Sequence, residues 1–214
     1  MIRFFQGREI SHYSRDADEM FRLRTRQFRD RLGWDVTVKD GWEHDRYDDM
    51  NPLYIVSKDE QSGQVAGCLR LLPTTGPTMM RDVFDKYFDE PFDVESPLVW
   101  ECTRFAIEPA IATSRFTPTG LCLTTHELML GICEVGMMAG IEQILGVFDA
   151  YMIRIYRRTG VSPEIIARSN KLPTGTIYIG LWEVSERSLL ALRGRSGITE
   201  SVLEQESQFA EAVA

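Results

Sequence analysis

From Val99 to Ile107 an apolar run is broken by a glutamate and an arginine: Val-Trp-Glu-Cys-Thr-Arg-Phe-Ala-Ile. Aromatic and β-branched content predicts a strand, and the apolar flanks predict a central one. Side chains alternate across a strand, so Glu101, Thr103 and Phe105 are expected on one face and Cys102 with Arg104 on the other. Unpaired buried charge is costly, so Glu101 and Arg104 must either be paired or line a cleft. Any fold for this chain has to accommodate polar groups in the middle of a sheet.

The elements around that strand narrow the choice. Residues 2–6 read as a strand, and residues 14–29 as a helix with Ser14 as its cap. Residues 53–57 and 64–72 read as a hairpin, turning at Asp59-Glu60-Gln61-Ser62-Gly63 and stopping at Pro73. A short helix is expected over 79–88. Thr117 and Pro118 predict a helix start, with the helix running over 118–139 to Gly140. Then follow a buried strand over 144–148, a helix over 150–158, strands at 165–167 and 177–182, and a last helix near 185–193. Residues 196–214 are expected to be a loose acidic tail. Hairpins followed by alternating helices and strands predict a single α/β domain over 1–214, a three-layer α-β-α sandwich on a twisted mixed sheet.

Composition limits the function. The 214 residues carry a net charge of −8, which argues against nucleic-acid binding. No stretch is long and apolar enough to span a membrane, and the first residues lack a signal-peptide pattern, so a cytoplasmic location is expected. Cys68, Cys102, Cys122 and Cys133 form no Cys-x-x-Cys pair, and the three histidines are scattered, so no metal site is expected. Of 24 basic residues, 20 are arginine, the residue that grips carboxylates and phosphates through paired hydrogen bonds.

Two further clusters carry chemistry. Arg24, Phe28 and Arg31 share a helix face by their spacing, with Trp34, Glu43, Asp45, Tyr47 and Asp48 following. Arginine, aromatics and carboxylates together can hold a zwitterion that bears a flat base or a cationic centre. The same pattern also describes a solvated helix and a charged loop. Arg70 closes a strand in Arg-Leu-Leu-Pro, where a lone arginine is more often a surface residue than a ligand.

Taken together, these residues resemble the acyl-homoserine-lactone synthases, the autoinducer synthases of quorum sensing. The family pattern is met by Leu23, Arg24, Phe28, Arg31, Trp34, Val36, Glu43, Asp45, Tyr47 and Asp48. It is met again by Arg70, and by Glu101 and Arg104 in Glu-x-Thr-Arg-Phe. The resemblance is strong over residues 20–110 and implies a fold similar to the GCN5-related N-acetyltransferases, with a V-shaped opening between central strands. Those enzymes carry an Arg/Gln-x-x-Gly-x-Gly loop for the coenzyme A pyrophosphate. Residues 114–120 lack that pattern, which favours acyl carrier protein over acyl-CoA as the thioester donor.

The resemblance implies that the amine of S-adenosylmethionine attacks an acyl thioester. The carboxylate then displaces the sulfonium, closing the lactone and releasing 5′-methylthioadenosine. S-adenosylmethionine is thus a substrate, and no cofactor is expected. Glu101 is the expected general base. Arg24, Phe28, Trp34, Asp45, Asp48 and Arg104 are expected around S-adenosylmethionine, and Arg70 and Thr103 at the thioester entrance or in a structural role. Leu121, Leu128, Met129, Ile132 and Met138 are expected to wall the acyl pocket. Gly146 falls where members preferring 3-oxo chains often carry threonine, which points away from a 3-oxo substrate. Arg154, Arg157 and Arg158 share a helix face and form a candidate docking patch for an acidic carrier protein. The competing readings are another N-acyltransferase using acyl-CoA and a non-catalytic ligand-binding domain.

Overall fold

The structure, a computed structural model, describes residues 1–89, 93–112, 115–172 and 175–204. Its centre is a seven-stranded sheet built from β1 (Ile2–Gln6), β4 (Leu53–Lys58), β5 (Val65–Pro73), β6 (Val99–Ile107), β7 (Gln143–Asp149), β9 (Gly175–Glu183) and β8 (Glu164–Leu172), in that spatial order. A small hairpin, β2 (Val38–Lys39) with β3 (Trp42–Glu43), lies apart from it. Every neighbour pair in the large sheet is antiparallel except β6 with β7. The predicted hairpin is β4–β5, with Gly63 in its turn at φ +66°.

Helices cover both faces, as a sandwich requires. On one face α1 (Ser14–Arg24) buries Ala17, Met20, Phe21 and Leu23 against Phe5, Tyr54, Val56, Cys68 and Ala106. On the other, α3 (Leu123–Met138) and α5 (Glu186–Ser196) pack over Ile2, Ile55, Leu69, Leu71 and Ile144, and α4 (Ala150–Thr159) adds Tyr156 at the rim. A short helix, α2 (Pro109–Ala112), follows β6.

Several sequence expectations are corrected. Ser14 is the first residue of α1 and not its cap; Tyr13 precedes the helix and makes no side-chain cap bond. The helix does not end at Arg24 but widens into a π-helical turn, Thr25–Arg31. The helix expected from residue 118 begins at Leu123, because Thr117-Pro118-Thr119-Gly120 closes as a turn. Gly120 has φ +70° and its N–H donates to the Thr117 carbonyl at 2.8 Å. Proline second and glycine fourth suit such a turn as well as they suit a helix start. The tail is docked as far as residue 204: the Glu204 N–H donates to the Ile2 carbonyl at 2.8 Å, and Val202 is buried. The remainder of the expected loose segment, 205–214, lies outside the described residues, as does Ser114 of the loop before α3.

Two features of the sheet position the site. First, β6 and β7 pair only over Val99–Glu101 against Gln143–Leu145. Beyond Glu101 and Leu145 both strands continue without pairing to each other, so the middle of the sheet forks. Second, β6 carries a bulge against β5, between the pairs Arg70↔Thr103 and Cys68↔Ala106, with Arg104 at φ +56°. A bulge bends its strand and sharpens the local twist, which helps to part β6 from β7.

Candidate active site

The bulge overturns the expected alternation. With Arg104 in the left-handed region, its side chain joins Glu101 and Thr103 on the α1 face, while Cys102 and Phe105 pack on the α3 face. Tyr54, Arg70 and Thr103 form a row across three strands of that α1 face, with Leu72 and Glu101 in register beside them. The widened turn after α1 brings Phe28 beneath Arg104, whose guanidinium lies 5.2 Å from the ring centroid. Such widened turns concentrate at functional sites.

Three arginines and three carboxylates then close into one lattice. Arg24 donates two parallel bonds to Asp48, both 2.8 Å, and its Nε donates to Glu43 at 2.6 Å. Arg70 donates to Asp45 at 2.6 Å, to Asp48 at 2.7 Å and to the Thr103 hydroxyl at 3.0 Å. Arg104 reaches Glu43 at 2.9 Å and Asp45 at 2.8 Å. The Tyr54 hydroxyl donates to Asp48 at 2.8 Å. Arg24, Arg70, Glu43 and Asp48 are fully enclosed, with side-chain exposures of 0–1%. Burial alone would push the Asp48 carboxyl up, but Arg24 and Arg70 outweigh it and hold the group far below the usual carboxylate range. Burial would likewise lower Arg24, and Asp48 with Glu43 reverse that.

The sequence-predicted residues therefore divide. Arg24, Asp48 and Arg70 are spent on bracing. Asp45, with 18% of its side chain exposed, and the edge of Arg104 reach the rim. Trp34 is 45% exposed and stacks on the buried Phe28, centroids 5.1 Å apart. A zwitterion arriving here meets an indole face, a carboxylate and one guanidinium edge. Thr103 orients Arg70.

Glu101 sits at the vertex of the fork, in the last β6 pair before the strands part, and is 1% exposed. Its carboxylate has no arginine within ion-pair reach among the described residues. It accepts the Met79 N–H at 2.8 Å and the Met80 N–H at 2.6 Å, at the start of a π-helical turn, Met80–Phe84. Burial pushes its pKa up to about 7, with the two amides and Arg70 pulling the other way. Each carboxylate oxygen keeps a further acceptor position, so a buried group poised near neutrality can take up a proton here.

On the α3 face, Gly146 is the first β7 residue past the fork, and the Trp182 ring lies over it. Met129 is buried and Ile132 half-buried in that core; Leu121 is buried in the loop before α3. Leu128 is buried and packs on Gly67 of β5, and Met138 is exposed. Arg154, Arg157 and Arg158 are exposed on α4; Arg158 donates to the Thr119 carbonyl, while Arg154 and Arg157 have no carboxylate partner among the described residues. Sequence reasoning quoted Glu43 without selecting it, although it joins two of the three arginines. It missed Tyr54, whose hydroxyl joins the lattice at Asp48. The Met79 and Met80 amides leave no side-chain signal to find. Among the described residues no group of three or more metal-ligating side chains is present.

The sequence matches the autoinducer synthase family over residues 9–192. The chain belongs to that family. An acyl-homoserine-lactone synthase of Rhizobium etli is 42% identical over 210 residues, covering 98% of this chain and 95% of that protein. A solved CoA-dependent acyl-homoserine lactone synthase, in complex with SAM and isopentyl-CoA, shares the fold with a TM-score of 0.82 at 22% identity, over 96% of this chain and 93% of that one. More distantly, an N-acetyltransferase from Lactobacillus plantarum aligns with a TM-score of 0.56 at 12% identity, over 86% of this chain and 99% of that one, which places the fold beside the acetyltransferases.

Proposed function

We propose that this autoinducer synthase acylates the α-amine of S-adenosylmethionine from an acyl thioester and then closes the product to an acyl-homoserine lactone. The observation that carries the reading is the fork: Glu101 stands at its vertex, with the arginine–carboxylate wall on the same face. The methionine end of the substrate lies along Trp34, Asp45 and Arg104, and the thioester lies in the opening between β6 and β7. The unpaired strand edges there supply backbone donors and acceptors for an extended thioester arm.

In the first step the amine nitrogen bonds to the thioester carbon, the carbon–sulfur bond breaks, the amine proton passes to Glu101, directly or through one water, and the departing thiolate takes that proton to leave as the thiol. In the second, the carboxylate oxygen bonds to the γ-carbon and the sulfonium leaves as 5′-methylthioadenosine. An α-amine titrates near pH ~8, so about a tenth is neutral at pH 7 and deprotonation is worth only ~1 kcal/mol. Holding the two reactants together is worth about 7–11 kcal/mol. Positioning therefore dominates, and the rigid lattice serves it. S-adenosylmethionine enters as substrate, and the chemistry calls for no separate cofactor.

The donor is an acyl thioester, and an acyl carrier protein is favoured by the exposed Arg154 and Arg157 on a chain of net charge −8. Charge reversal of both to glutamate raises the KM for carrier-bound substrate and leaves that for S-adenosylmethionine unchanged. Equal kinetics retires the docking patch, and full activity with acyl-CoA but none with carrier-bound substrate assigns the donor to coenzyme A. A cytoplasmic location fits the four free cysteines and the lack of a membrane-crossing helix among the described residues.

The test of function is mass spectrometry of extracts from a host expressing the chain, together with 5′-methylthioadenosine release by the purified protein. The expected result is a lactone and equimolar methylthioadenosine. Acylated product without methylthioadenosine would make the chain a simple N-acyltransferase.

A further inference from the structure

Tyr47 stands between Asp45 and Asp48 in the chain, yet its hydroxyl binds neither. Its N–H donates to Asp45 at 2.9 Å, and the Arg70 guanidinium lies over its ring, 5.4 Å from the centroid, so the residue is seated on the lattice. The hydroxyl reaches a different segment: it donates to Asp82 at 2.9 Å, with the Thr78 carbonyl at 3.4 Å. Burial pushes the phenol up to about 12, so the hydroxyl keeps its proton and remains a donor at neutral pH. Arg46 donates both to the hydroxyl oxygen, at 3.0 Å, and to Asp82, which holds the acceptor in place.

Thr78 and Asp82 bracket the turn that serves Glu101. The Asp82 N–H donates to the Thr78 carbonyl at 3.1 Å, and between them the Met79 and Met80 amides donate to the Glu101 carboxylate. Whatever fastens this turn to the lattice therefore aims the base relative to the lattice. Arg81 ties the turn only to its own loop, at the carbonyls of Thr74, Gly76 and Val94 and at Asp93. The Met79 sulfur meets Arg70 at 3.4 Å and Arg104 at 3.6 Å, but a thioether is a weak acceptor. The Tyr47 hydroxyl makes the stronger link. Around Glu101, Arg70 and Arg104 are paired with lattice carboxylates, Leu145 opposite on β7 is apolar, and Asp82 is the carboxylate that acts on it from the turn.

We propose that Tyr47 is a positioning residue for the base: its hydroxyl, through Asp82, fixes the turn whose Met79 and Met80 amides aim the Glu101 carboxylate. The wall that receives S-adenosylmethionine and the group that takes its proton are thereby set as one unit. The inference rests on the synthase reading and deepens it. A carboxylate accepts a proton along its lone pairs, and two of its acceptor positions are occupied by the amides, so a shift of the turn re-aims the positions that remain.

Tyr47→Phe removes the hydroxyl and keeps the ring on Arg70. In protein labelled with ¹⁵N-methionine, the amides bonded to the base are the two whose pH response disappears in Glu101→Gln. In the wild type they shift with a midpoint of about 7. In Tyr47→Phe that response falls to about half or less as the two bonds lengthen. Methylthioadenosine release shows kcat lowered by about tenfold to a hundredfold, with the KM for S-adenosylmethionine within about twofold, because the substrate wall is untouched. Asp82→Ala breaks the same link from its other end, so the double variant is no slower than the slower single one. A folded Tyr47→Phe whose two amides titrate as in the wild type overturns the assignment. So does a raised KM for S-adenosylmethionine with kcat unchanged, and so do losses that multiply in the double variant. Should Tyr47→Phe fail to fold, the amide titration of Asp82→Ala, a side chain 31% exposed, decides by the same criterion. If the wild type releases no methylthioadenosine with any thioester, the synthase reading falls, while the amide titration still shows whether Tyr47 holds the turn.

Discussion

Asp48 and Glu101 are both buried carboxylates on the same face of one sheet, yet their surroundings oppose each other. Asp48 takes bonds from Arg24, Arg70 and Tyr54, and its carboxyl is held far below the usual range. Glu101 takes two backbone amides and no arginine, and burial pushes it up to about 7. The difference teaches how the charges are divided. Every arginine of the lattice is matched to carboxylates that never need to titrate, which fixes a rigid wall. The one carboxylate left outside the lattice is the one able to exchange a proton at neutral pH.

The largest way to break the contrast is Glu101→Gln. General-base loss lowers turnover by about 10²–10⁴, while the variant folds because glutamine can still accept an amide bond. Turnover within about threefold of wild type would remove Glu101 from that role. On the lattice side, Asp48→Ala strands Arg24 and Arg70 and costs about 3–5 kcal/mol of stability, read as a drop in the denaturation midpoint. A cost below about 1 kcal/mol would mean that the wall is not held by these pairs.

The pH dependence of stability sharpens the comparison further. The folded pKa of Glu101 is raised from 4.5 to about 7, so its contribution is present in full below pH 4.5 and is lost as pH rises through 7. Wild type therefore loses about 3 kcal/mol relative to Glu101→Gln across that window. Asp48 has the opposite sign: its contribution holds above pH 3.8 and fades only as acid approaches its depressed pKa. The smallest effect belongs to the rim. Trp34→Ala raises the KM for S-adenosylmethionine by about threefold to tenfold, the worth of one aromatic contact, with little change in thermal midpoint because the ring is half in water.

Much of this was legible in the chain. The strand Val99–Ile107, the β4–β5 hairpin and the residues of the wall follow from pattern, charge and resemblance. Their partners do not. Alternation placed Arg104 on the face opposite Glu101, and only the positive φ at Arg104 brings the two to the same side. That backbone state has no residue signal here, since arginine seldom adopts it. Arg24 and Arg104 looked alike as ligand-holding groups, and three-dimensional packing alone decides that the first is sealed and the second reaches the rim. The start of α3 was misread because Thr-Pro-x-Gly serves a turn as well as a helix.

The most direct test is a carboxyl ¹³C NMR titration of glutamate- and aspartate-labelled protein, with Glu101→Gln to assign the decisive resonance. The prediction is one glutamate that titrates near pH ~7 and vanishes in the variant, while Asp48 stays ionised to the lowest pH at which the fold survives. If every carboxyl instead titrates below pH ~5, Glu101 is as firmly ionised as the lattice and the contrast on which the mechanism rests is contradicted.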